Sequence, residues 1–89
     1  MPYIKPSNRE HLVEGSWSPS TAGELNFIIH ERVLRDYFAE QGVSYGTINE
    51  AIGVLECVKL ELYRRLAAPY EDKKIAQNGD IELYASVSI

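Results

Sequence analysis

The sequence predicts an all-α fold: an antiparallel helical hairpin with an extended N-terminal arm and a short extended C-terminal tail, completed by self-association into an oligomer. Three observations predict it. Apolar residues recur at helical spacing from Thr21 to Gln41 and again from Thr47 to Ala68. Only the short Gly42 to Gly46 segment separates the two stretches, which implies antiparallel neighbours. The second stretch carries apolar residues on two sides, more than one partner helix covers. The whole reads as a single domain over 1–89, divided into an arm (1–21), a hairpin whose C-terminal helix is kinked (22–80) and a tail (81–89).

From Met1 to Thr21, Pro2, Pro6, Pro19, Gly15 and several serines argue for an extended arm with at most a short helical turn near Asn8 to Val13. Tyr3, Ile4, Leu12, Val13 and Trp17 make it too apolar for a free tail, so it is expected to pack on something. Thr21 or Ser20 then caps a first helix with Glu24 in its first turn, which runs to a stop at Gly42. Phe27, His30, Leu34, Tyr37 and Phe38 form one stripe of it. Leu25, Ile28, Ile29 and Val33 form another on the opposite side, so its first half should be covered on more than one face.

Ser44 offers the next cap, and a second helix runs from about Thr47 to Ala68, where Pro69 should kink or interrupt it. Its main stripe of Ile48, Ala51, Ile52, Leu55, Val58, Leu62 and Leu66 should meet the first helix. A narrower seam of Gly53, Cys57, Leu60 and Ala67 lies on the far side. Gly53 in a helix interior costs about 1 kcal/mol relative to Ala, which suggests a packing reason outside the hairpin. Beyond Pro69 a further helical piece reaches Asn78-Gly79, and the alternation in 81–89 suggests a short strand.

Size supports self-association. A chain of 89 residues buries only roughly 64% of its unfolded surface. One cysteine, Cys57, and two distant histidines, His11 and His30, supply neither a disulfide nor a metal staple. Nine basic against thirteen acidic residues give a net charge of −4, which disfavours DNA and anionic membranes as partners. With no stretch near the roughly 20 apolar residues that span a bilayer, a cytoplasmic location is expected.

The candidate ligand-binding set is Tyr45, Asn49, Glu56, Lys59, Tyr63, Arg64 and Tyr70. Arg forks match phosphate and tyrosine rings accept base faces, so these residues would form a polar shelf for a phosphorylated ligand. The alternative is a solvated strip with a Glu56 to Lys59 pair, and Arg65 paired to Glu61 four residues earlier. His30 reads as a core histidine and Cys57 as a small buried filler. No phosphate loop, nucleophile elbow, Cys-x-x-Cys pair or metal set is present, so no catalytic residue and no cofactor are assigned and a non-enzyme is expected.

The Met-Pro-Tyr-Ile opening, Gly23-Glu24-Leu25-Asn26, the run Ile48 to Cys57, Lys59 to Arg65, Pro69-Tyr70-Glu71-Asp72 and Asn78-Gly79-Asp80 resemble a family of small uncharacterised phage and prophage proteins. The resemblance spans nearly the whole chain, and 81–89 departs from it by running longer than the family's usual finish. Leu62-x-Arg64-x-x-Ala67-x-Pro69 is also similar to the helical hairpin of phage anti-CBASS and anti-Thoeris proteins, though that group's Gln and Gly-Phe-Met-like run before the Leu are missing. This second likeness implies a homo-oligomeric sponge for nucleotide immune signals, a cyclic nucleotide or related phosphorylated molecule, in the host bacterial cytoplasm. The alternative is an adaptor or inhibitor that contacts a host factor through the aromatic arm, Tyr3 to Trp17.

Overall fold

The computed structural model describes residues 1–88, and all regular structure among them is helical, with no strand. The chain divides into two compact units, Met1–Ala51 and the residues from Ile52 onward.

The arm is not extended: α1 (Pro6–Glu14) occupies most of it. Pro6 sits in the first turn, where its missing N–H is no loss and its fixed φ suits a helix. The Lys5 carbonyl accepts from Asn8 and Arg9 at 3.0 and 3.1 Å, and Gly15 closes the helix by donating to the His11 carbonyl. The expectation that the arm packs on something holds. Leu12 is 1% exposed and forms the core of the first unit with Phe27 and Ile28, against which Ile4 and Trp17 lie. Gly23 permits that approach, because a Cβ there would meet the Ile4 Cγ2 at 2.9 Å. Arg9 donates to the Ile4 carbonyl and lies over the Phe27 ring, while Arg32 covers the Trp17 ring.

The first long helix is α2 (Ala22–Ile28), a π-helical segment (Ile29–Leu34) and α3 (Arg35–Gln41) in direct succession. Both predicted caps act at its start. The Thr21 hydroxyl accepts from the Glu24 N–H at 3.1 Å, and the Glu24 carboxylate accepts from the Ser20 N–H and hydroxyl. Gly42, at φ 78°, ends it by donating to the Phe38 carbonyl. Phe27 and Ile28, one from each predicted stripe, are both buried, so the first half is covered on two faces. His30, however, is exposed. The π segment begins immediately after the two buried residues, and nothing covers the ring beyond them.

Helix α4 (Tyr45–Leu62) starts on a reciprocal cap: the Ser44 hydroxyl accepts from the Thr47 N–H, and the Thr47 hydroxyl accepts from the Ser44 N–H. Thr47 also donates to the Gly42 carbonyl, which fixes the turn. Within the first unit the Tyr37 hydroxyl donates to Glu50 at 2.7 Å, tying α3 to the opening turns of α4, and Ala51 is buried.

Past Ala51 the predicted packing of the main stripe fails. Ile52, Leu55, Val58, Leu62 and Leu66 are 37 to 67% exposed, and Cys57 is exposed rather than a buried filler. The second unit supplies no second layer, because α4 passes through a π-helical segment (Tyr63–Ala67) into α5 (Ala68–Asn78), and only the single turn α6 (Glu82–Ala85) follows.

Pro69 does not interrupt this rod. Ala68 is helical at φ −61°, ψ −47°, and its N–H bonds five residues back to the Tyr63 carbonyl. The wider π ladder changes to the α ladder at the proline, which then occupies the first turn of α5 and misses no bond it needs. Gly79, at φ 89°, ends α5. The expected strand in 81–89 is replaced by α6, with Ile89 outside the described residues. A lone strand leaves its backbone groups unpaired, whereas here the Tyr84 and Ala85 N–H groups both reach the Ile81 carbonyl at 3.0 Å.

Candidate ligand-binding strip

The predicted shelf residues are all exposed. Tyr45, Asn49, Glu56 and Lys59 lie on α4, Tyr63 and Arg64 open the second π segment, and Tyr70 lies on α5. Helical spacing brings each cation to a carboxylate. The Lys59 ammonium is 2.9 Å from Glu56, and Arg64 Nη2 reaches both Glu61 oxygens at 2.9 and 3.1 Å. Arg64, three residues on, takes the partner that spacing had offered to Arg65. Exposed pairs of this kind contribute about 0.2–1 kcal/mol and exchange readily with other anions.

Tyr63 is drawn away from Lys59. Its hydroxyl donates to Glu71, two helical turns on, across the π segment. The hydrogen bond to Glu71, the charge of that carboxylate, partial desolvation and the charge of Asp72 all hold the phenol above its ordinary value. Tyr37 is raised for the same leading reason, its hydrogen bond to Glu50. Lys74 lies over the Tyr70 ring at 5.6 Å.

A second feature was not legible as a site in the sequence. Tyr63, Glu71, Lys74, Ile75, Asp80 and Tyr84 line an open groove of about 750 Å³ where the chain turns back at Gly79. The turn itself was signalled by Asn78-Gly79, but which side of α5 the following residues return to was not. With Glu71, Asp72 and Asp80 against Lys74, the groove has the wrong sign for phosphate. The phosphate-matching groups are those outside it, Lys59 and Arg64. In one chain they do not converge with Tyr70 on a common pocket, and each is neutralised within its own helix.

Among the described residues no three His, Cys, Asp or Glu side chains cluster as a metal-binding group, and no helix is long and apolar enough to cross a membrane. No curated protein and no solved structure matches the chain. The match to a family model is extensive: a domain of unknown function (DUF6899) covers residues 1–81, and the protein belongs to that family.

Proposed function

We propose that the protein is a non-enzymatic binding protein that works as a homo-oligomer. The observation that carries this reading is the exposure, at 37 to 67%, of Ile52, Leu55, Val58, Leu62 and Leu66 along one helix. Full burial of such side chains stabilises by about 1.5–3 kcal/mol each, and an unpaired stripe of this length is the signature of an association surface. Light scattering at tens of micromolar is expected to give a multiple of the 10.1 kDa chain mass; a monomer rejects the reading.

In its most specific form the function is that of a phage-encoded accessory protein that sequesters nucleotide immune signals. Support comes from the likeness of Leu62-x-Arg64-x-x-Ala67-x-Pro69 to the sponge hairpin, and from the exposure of Arg64, Lys59, Tyr63 and Tyr45. Arg64 and Lys59 would hold phosphate, and Tyr63 or Tyr45 would stack on a base, with a second copy completing the pocket. A thermal-shift and calorimetry screen against cyclic di- and trinucleotides and cyclic ADP-ribose isomers tests it. Binding to the folded state alone stabilises by about 2.7 kcal/mol at a hundredfold excess over Kd. No shift with any of them rejects the sponge. A shift that survives Arg64→Ala rejects the site.

The rival reading is an adaptor that acts through the aromatic arm. Tyr3 at 75% and Val13 at 48% exposure give it a surface, although Leu12 is withdrawn into the core.

A further inference from the structure

The stretch 52–68 has a chemical symmetry about Leu60. Reading outward from it, Lys59 is matched by Glu61, Val58 by Leu62, Cys57 by Tyr63, Glu56 by Arg64, Val54 by Leu66 and Gly53 by Ala67. Acid answers base and apolar answers apolar; Leu55 against Arg65 is the exception. We propose that two copies of the chain pair antiparallel along this stretch, about a two-fold axis at Leu60.

Three observations carry the pairing. Leu60 is 55% exposed, and at 100° per residue Gly53, Glu56, Cys57 and Arg64 share its side of the helix. A Cβ at Gly53 would meet nothing within 4 Å, so no contact inside the chain accounts for a glycine there, and the position is open to a closely approaching helix. Charge then selects the direction. An antiparallel pair centred on Leu60 sets Glu56 at the height of the partner's Arg64. The existing pairs Glu56–Lys59 at 2.9 Å and Glu61–Arg64 at 2.9 Å thereby join into a network of alternating sign. A parallel pair in register sets Glu56 beside Glu56 and Arg64 beside Arg64, which repels. The stretch also holds two carboxylates against three cations, so it escapes the repulsion that the chain's net charge of −4 would otherwise impose on a second copy.

The proposal rests on the homo-oligomer reading, and its tests fail separately from that reading. In a Cys57→Ser background, Leu60→Cys is expected to form a disulfide-linked dimer on mild oxidation. Gly53→Cys is expected not to, because antiparallel pairing separates the two copies of that position by about 21 Å along the helix. Reversing one charge, Glu56→Arg or Arg64→Glu, is expected to raise the dissociation constant about tenfold, and the double reversal to restore it to within about threefold. Both side chains are exposed in the chain, and circular dichroism checks that helicity is kept. A monomeric wild type overturns both the pairing and the homo-oligomer reading. Self-linking through Gly53→Cys, failure of Leu60→Cys to link, or a double reversal no better than the singles overturns the antiparallel pairing alone.

Discussion

The two units of this chain are made from similar residues and reach opposite solutions. The first folds α1 back over α2, puts Leu12 at 1% exposure and spends Ile4 and Trp17 around it. In the second, from Ile52 onward, none of the described side chains is buried. Apolar composition alone therefore does not make a core; a second layer does, and only the first unit has one within a single chain.

The comparison breaks most sharply at Leu12. Leu12→Ala is expected to cost about 2–5 kcal/mol in denaturant unfolding, whereas Leu66→Ala, at 67% exposure, is expected to leave the stability of a dilute monomer within about 0.5 kcal/mol. Equal effects would mean that the second unit has an internal core. The glycines sharpen the same contrast. Gly23→Ala drives a methyl to 2.9 Å from Ile4 and is expected to destabilise by about 1–3 kcal/mol. Gly53→Ala has open space and is expected to gain about 1 kcal/mol of helix stability while weakening association. Concentration separates those two terms.

Caps come next: Thr21→Ala and Ser44→Ala are each expected to cost about 1 kcal/mol, read by thermal unfolding, because each removes a side-chain acceptor from a first-turn N–H. The smallest effect is alkaline. Tyr37 and Tyr63 carry raised folded pKa values, so the stability they contribute is complete below the ordinary tyrosine value near 10 and is lost as pH rises through the raised ones. Of six tyrosines, two should ionise late by ultraviolet absorbance, one in each unit, and Tyr37→Phe or Tyr63→Phe should each remove one late step. A single step at the ordinary value contradicts both hydrogen bonds.

Local chemistry was the legible part of the sequence. Thr21, Ser44, Gly42 and Gly79 begin and end helices where their side chains or positive φ dictate, and Glu56 meets Lys59 as spacing requires. Pro6 misled as a breaker because proline costs little at the first turn, the one helical place where its N–H has no partner to lose. The tail's alternation misled because a strand needs a neighbour that its own sequence does not announce. His30 and Cys57 were placed inside on the strength of apolar neighbours, which fix a face but not what covers it. The competition of Glu71 for Tyr63 required the π segment, whose extra residue per turn leaves no mark in composition. The family match stops at Ile81, where the tail had already looked foreign to the resemblance.

The π segment at Tyr63–Ala67 also bears on how this chain tolerates change in length. A π turn holds about one residue more than an α turn needs, so a single deletion there converts it to an ordinary helix and leaves the rod continuous. Every side chain downstream then moves by roughly 100° to a new side. Pro69 would also face an α-type acceptor that it has no hydrogen to satisfy. The segment is thus a reserve of one residue, whose removal spares the helix and re-aims everything it carries.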